Sequence, residues 1–453
     1  MPRVLVDHAL VGGSWRRNVG LEWDGSGRFL SIAPDSAPAP GVERIAGAAV
    51  AGLANLHSHT FQRAIAGVSE SLGTGGDTFW TWRQAMYRAV GRLTPENLRA
   101  VAALAFAEML EGGFTSVAEF HYIHNAPDGT PYADRAAMAA AVIEAAKETG
   151  IGLTLLPVFY AHGGFGARPL EKAQRRFAGD PDGFARLVEA SAAALEALPG
   201  AAWGVAPHSL RAVAPDELKA IVRDFPGRPV HIHAAEQVRE VEECVAALGR
   251  RPVEWLLDEM PAGRHWCLVH ATHLTDPEVK RLAGSGAAAG LCPVTEANLG
   301  DGIFPAAAYL GAGGRLGVGT DSNIRIDAAE ELRQLEYSQR LGGRARNVLA
   351  APGRSTGRVL FDAAQAASAD VLARPVGALA PGNCADFLVL DTEHLSLLGR
   401  AGDTWLDSWI FAAGKEAVRE VWAGGRRVVA QGRHVAGEKI RRAYAGVLPE
   451  LIG

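Results

Sequence analysis

Short apolar runs alternate with longer helical stretches from residue 48 to residue 320, and that alternation narrows the fold more than any other feature. The apolar runs are 48–54, 115–120, 153–159, 203–207, 229–233, 266–270, 287–292 and 316–320. Helix-like stretches such as 95–111, 182–198, 215–224 and 234–248 lie between them. Runs this short and this continuously apolar suit strands buried on both faces, the texture of a parallel sheet. Eight strand–helix units of this kind predict a (β/α)8 barrel. A doubly wound open sheet is the competing architecture, but the Gly-x-Gly-x-x-Gly turn expected after its first strand is absent.

The flanks have a different texture. Residues 3–6, 19–23 and 29–32 are short β-like pieces separated by Gly-rich turns, with no long helical pattern between them. After residue 375 the β-texture returns: 377–391 is a turn-rich lead into a strand, and 418–422 and 427–429 form a hairpin around Gly424-Gly425. The two ends are expected to join in one small β-domain beside the barrel. The expected division is 1–47 and 375–453 for the β-domain and 48–374 for the barrel.

Bulk composition sets limits. A chain of 453 residues is longer than one core usually serves, which fits a large domain with a satellite. Hydrophobic residues at 48% and charged residues at 21% are those of an ordinary globular protein. With 45 basic and 50 acidic residues, the net charge of -5 gives no electrostatic reason to bind nucleic acid or a membrane surface. The first residues, Met1 to His8, lack the apolar core of a signal peptide, and the Ala-rich stretch 136–146 is too short to span a bilayer. The four cysteines are scattered without a Cys-x-x-Cys pair, so they are expected to be free thiols in a reducing cytoplasm.

Ligand-capable residues gather where the expected strands end. His57 and His59 follow the first, His208 the fourth, His233 ends the fifth, His270 the sixth, and Asp321 follows the eighth. A lone histidine at a strand end is usually an ordinary polar residue. In a parallel barrel, however, the carboxyl ends of the strands share one mouth, so five such ends converge. Residues at i and i+2 of a strand point the same way, which lets His57 and His59 face one ion. His57, His59, His233 and Asp321 are therefore expected to hold a divalent metal such as zinc, with a position open to water. His231 lies two residues deeper than His233 and belongs to the barrel interior on this reading. Glu236 suits two roles equally on spacing: a proton shuttle at the mouth, or an acidic first-turn residue facing a helix dipole.

The ordered set of Gly52-Leu53-Ala54-Asn55-Leu56-His57-Ser58-His59, His231-Ile232-His233-Ala234-Ala235-Glu236, Leu268-Val269-His270 and Gly319-Thr320-Asp321-Ser322 resembles the amidohydrolase superfamily. Within it, the match is to the cytosine-deaminase-like and chlorohydrolase-like branch with one metal. Pro381-Gly382-Asn383-Cys384-Ala385-Asp386-Phe387 also looks like that family's return to its β-domain. The resemblance spans nearly the whole chain. It implies a distorted (β/α)8 barrel with a small β-sandwich from the two ends, hydrolytic deamination, and a homodimer. Glu236, His270 and Asp321 would be the catalytic groups.

Further matches, His59-Thr60-Phe61-Gln62-Arg63, Thr81-Trp82-Arg83, Glu119-Phe120-His121-Tyr122 and Ala206-Pro207-His208-Ser209-Leu210-Arg211, resemble members acting on a small anionic formimino compound. They imply substrate contacts at Gln62, Arg83, Tyr122, His208 and Arg211. Two arginines near the mouth suit carboxylates, which guanidinium meets bidentately, although structural ion pairs would account for both equally. Two other functions compete: deamination of a purine or pterin ring, and a non-catalytic scaffold, which would be expected to have lost the ligands this chain retains.

Overall fold

The computed structural model describes residues 3–68, 70 and 79–452. Its first strands are β1 (Arg3–Val11), β2 (Ser14–Trp23), β3 (Phe29–Ala33) and β4 (Glu43–Ala51), and β5 (Leu53–Ser58) follows at once. The apolar run expected as one strand over 48–54 is therefore two. Ala48 to Ala51 belong to the terminal sheet, and Leu53 begins the barrel. Gly52 is the junction: a Cβ there would sit 2.2 Å from the Thr115 side chain. Both segments are buried, so apolarity alone could not reveal the break.

The barrel continues through β6 (Phe114–His121), β7 (Gly152–Phe159), β8 (Ala202–Trp203) and β9 (Ala206–Pro207). It is completed by β10 (Val230–Ala234), β11 (Trp266–His270), β12 (Ala288–Leu291) and β13 (Arg315–Val318). All neighbours pair in parallel, in two arcs. Parallel bridges Val205–Val230 and Ser209–His233 join the arcs on one side, and Ser58–Asp321 closes the other. The expected fourth strand is interrupted at Gly204, where a Cβ would meet the Pro229 carbonyl at 2.5 Å, and the barrel is distorted there. β5, β6, β10 and β11 are buried at every position, as expected of strands covered on both faces.

Helices Pro95–Glu111 and Pro215–Asp224 begin and end where the sequence places them. Each opens on proline, whose missing N–H costs nothing in a first turn, and Thr94 caps the former by accepting from Asn97 N–H. The Ala-rich stretch forms the helix Ala137–Thr149, packed against Pro95–Glu111. The stretch expected to be helical from 234 starts later, as Val238–Leu248. Ala234 completes β10, and Ala235 has a φ of +53°. His231 is interior, as expected: its Nε2 donates to the Val371 carbonyl at 2.8 Å, while Thr154 Oγ1 donates to that of Leu372 at 2.6 Å. These contacts tie the short helix Ser368–Leu372 to the inner wall.

The chain ends supply β14 (Phe387–Leu390), β15 (Val418–Ala423), β16 (Arg426–Ala430) and β17 (Arg433–His434). Sheet order is β17-β16-β15-β14-β4-β1-β2-β3, with β4 pairing β1 on one side and β14 on the other. Trp23 of β2 meets Trp422 of β15 with ring centroids 5.4 Å apart, although the two strands are not neighbours in that order. The sheet therefore curls over into a small sandwich around Trp23, Phe29, Phe387 and Trp422. A last helix, Gly437–Ile452, packs on Pro95–Glu111, and no strong residue pattern announces it.

Candidate active site

Three imidazoles and a carboxylate meet at the carboxyl mouth of the barrel. His57 Nε2 lies 3.1 Å from both His59 Nε2 and His233 Nε2. Asp321 Oδ1 is 3.4 Å from His57 Nε2 and 3.3 Å from His59 Nε2. The four ligand atoms fall within 4.8 Å of one another, and all four residues are buried. The Phe120 ring packs against His57, His59 and His233.

The closing seam of the barrel aligns them. His59 N–H donates to the Asp321 carbonyl at 2.9 Å, and Thr320 and Asp321 N–H both donate to the His57 carbonyl at 3.0 Å. The Asn323 amide donates to Ser58 Oγ and to the carbonyls of His59 and Asp321, and the Asn55 amide donates to Thr320 Oγ1. Asp321 and Asn323 sit at φ of +41° and +55°, a left-handed backbone that these surrounding bonds must hold in place.

The chemistry of the donors fits a cation. His59 Nδ1 donates to the Phe120 carbonyl and His233 Nδ1 to the His208 carbonyl, each at 2.9 Å. A carbonyl only accepts, so the proton sits on Nδ1 and leaves Nε2 as a bare lone pair when the ring is neutral. Burial holds His57 and His233 well below the usual imidazole range, helped by their histidine neighbours. Burial also lowers His59, against the pull of Asp321 and the Phe120 carbonyl. The bare Nε2 atoms of His59 and His233 each lie 3.1 Å from His57 Nε2 beside the Asp321 carboxylate, and a His3Asp set is chemistry that zinc accepts.

His270 lies beside this group. Its Nε2 is 3.8 Å from Glu236 Oε1 and 3.9 Å from Asp321 Oδ2, and its Nδ1 is 3.1 Å from Glu296 Oε1. Burial alone would lower it, but Glu236, Glu296 and Asp321 together push it up to about 10. Burial holds Glu236 above the usual carboxylate range, against the pull of His270 and Arg211. The Glu236 side chain turns into the cleft toward His270 and Arg211, two residues ahead of the helix Val238–Leu248, while Glu240 receives the N–H groups of Ala235 and Glu236.

Gln62, Arg83, Tyr122, His208 and Arg211 all line this cleft, together with His59, His233, Glu236, His270 and Asp321. Gln62 Nε2 donates to Tyr122 Oη at 3.0 Å, and Arg83 Nη2 to Tyr160 Oη at 2.8 Å. Burial holds His208 well below the usual range, with His233, Arg211 and Arg83 adding to the effect. Arg211 lines the cleft and also pairs with Glu236 at 3.3 Å and Glu240 at 3.9 Å. The cleft, about 50 Å³, adjoins a cavity of about 250 Å³ that shares Arg83, Tyr87, Tyr160, His208 and Arg211.

Sequence reasoning missed Tyr160 and Glu296. Tyr160 directly follows β7, so the rule that found the other strand-end residues also applies to it. Glu296 lies within the helix Pro293–Leu299, where no spacing marks it.

Residues 48–428 match the model of the Amidohydrolase family. A formimidoylglutamate deiminase of Pseudomonas aeruginosa is 48% identical, with 100% of each chain covered. A 5-methylthioadenosine/S-adenosylhomocysteine deaminase of Natronomonas pharaonis is 30% identical over 77% of this chain and 74% of its own. Among solved structures, an amidohydrolase from Brucella melitensis superposes with a TM-score of 0.96 at 50% identity, again covering 100% of both chains.

Proposed function

The chain belongs to the amidohydrolase family, and on that premise we propose that it hydrolyses N-formimino-L-glutamate to N-formyl-L-glutamate and ammonia, a step of histidine degradation. The observation that carries this reading is the presence of Arg83 and Arg211 on the same cleft as the imidazole cluster. Guanidinium groups bind carboxylates with fixed geometry, and this substrate has two of them. The relative that matches over its full length is a deiminase whose name carries the same compound. Of the two compounds in the 30%-identical relative's name, 5-methylthioadenosine has no carboxylate and S-adenosylhomocysteine has one, whereas the diacid offers one to each guanidinium.

One divalent ion, zinc in this reading, held by His57, His59, His233 and Asp321, supplies the Lewis acidity that makes water nucleophilic near neutral pH. Arg83 and Arg211 hold the substrate carboxylates, and Gln62, Tyr122 and His208 set the formimino group against the cluster. Asp321 orients the attacking water and accepts its proton. His270, whose Nε2 lies between Glu236 and Asp321, faces the charge that develops on the carbon's substituents. Glu236, with its raised pKa, carries the proton to the terminal nitrogen. The water oxygen bonds to the formimino carbon, both of its protons pass in turn to the terminal nitrogen, the bond to that nitrogen breaks, and ammonia leaves with the oxygen kept as the formyl carbonyl.

We further read the protein as a cytoplasmic homodimer. Its four cysteines are free and buried, and among the described residues no helix is long and apolar enough to cross a membrane.

Arg83 gives the cleaner test, because Arg211 also braces Glu236. Arg83→Ala is expected to raise KM for the substrate roughly 30-fold, about 2 kcal/mol for a charged hydrogen bond, with kcat and bound metal little changed. An unaltered KM would remove the carboxylate clamp from the account.

A further inference from the structure

His270 is gripped from behind. Glu296 Oε1 meets its Nδ1 at 3.1 Å and also accepts the Cys292 N–H at 2.8 Å. That second bond anchors the carboxylate to the start of its own helix. The other ring nitrogen, Nε2, faces Glu236 and Asp321 and has no hydrogen-bond partner among the described residues. The backbone at His270 and Ala271 has φ of +67° and +49°, conformations that side-chain-bearing residues rarely adopt. Local backbone preference therefore does not place the ring. Glu296 is itself buried and lies outside the lining of the cleft.

We propose that Glu296 is a positioning residue for the hydrolysis: by accepting the Nδ1 proton it fixes the tilt of His270, so that Nε2 points into the space between Glu236 and Asp321. A carboxylate behind a working imidazole acts in this way in unrelated sites. The inference rests on His270 taking part in the reaction proposed above.

Three variants separate reach from charge. Glu296→Gln keeps an oxygen at the same reach without the charge. Glu296→Asp keeps the charge and draws the oxygen back by one methylene. Glu296→Ala removes both. Ammonia release from N-formimino-L-glutamate by the metal-loaded full chain gives kcat and KM, with metal content measured on the same samples. Positioning predicts kcat lower by on the order of 100-fold in the Asp and Ala variants and by less than about tenfold in Gln, with KM and bound metal unchanged. Should the Ala variant fail to fold, the Gln and Asp pair decides. Activity kept in Asp but lost in Gln overturns the proposal, because charge would then outweigh placement. So does wild-type kcat in all variants, or a joint loss of kcat, KM and metal. No turnover by the unaltered chain rejects the functional reading itself, and the inference with it; turnover there with any of these overturning patterns rejects the inference alone.

Discussion

Glu119 is a carboxyl that the fold buries beside the cluster without giving it a charge to meet. It accepts from Thr60 N–H at 2.8 Å and Thr60 Oγ1–H at 2.7 Å, yet burial outweighs those bonds and lifts it to about 7. A carboxyl raised above its ordinary value of 4.5 favours the protonated state. Its contribution to stability is thus fully present below the unfolded pKa and is lost as pH rises through about 7. Glu119→Gln is locked in the neutral form. In the metal-free protein, its stability relative to the unaltered chain should rise by up to about 3 kcal/mol between about pH 5 and about pH 8.5. Urea unfolding at both pH values measures this, and a constant difference would contradict it. Single residues were legible wherever chemistry follows a strand end, as with His57, His208, His233, His270 and Asp321. Glu296, Asn55 and Asn323 were not, because their partners come from other strands or loops and are met only once the barrel closes.

Elements carry the site by where they stop. β13 closes on β5 at Gly319, where a Cβ would lie 2.7 Å from both the N and the O of His57. Backbone atoms cannot swing aside as a side-chain tip can. Gly319→Ala should therefore cost about 2 kcal/mol in urea unfolding and weaken metal retention, since it pushes against a ligand's own backbone. Wild-type stability and metal content together would show that the seam is looser than described. The strands and most helices could be read from the sequence because a buried parallel strand is apolar throughout and a barrel helix opens on proline or a cap. Three boundaries could not. The junction at Gly52 joins two buried strands of equal apolarity, and the short breaks at Gly204 and Ala235 depend on crowding against Pro229 and on a positive φ. The helix Gly437–Ile452 carries Pro449 inside it, which argues against a helix until Pro95–Glu111 is there to receive it.

At the scale of the whole molecule, residues more than two hundred positions apart share one site: His57 and Asp321 touch because the first and last barrel strands are neighbours. The alternation of elements announced that closure, and the resemblance supplied the chemistry; how Arg211 divides itself between substrate and Glu236 needed coordinates. The cluster also couples metal to the fold. Stripping the metal leaves three imidazoles and a carboxylate buried together without the cation they would share. A chelated sample should melt lower and recover on adding zinc, with about 4 kcal/mol at stake where free metal stands roughly a thousandfold above its Kd. Identical melting in a sample confirmed to be metal-free would contradict a metal held by the folded state. The most direct measurement of the central claim is ammonia release from N-formimino-L-glutamate by the zinc-loaded protein, with the carbon product identified by mass. The account predicts ammonia and N-formyl-L-glutamate in equal amounts; formamide and glutamate, or no turnover with metal bound, would contradict it.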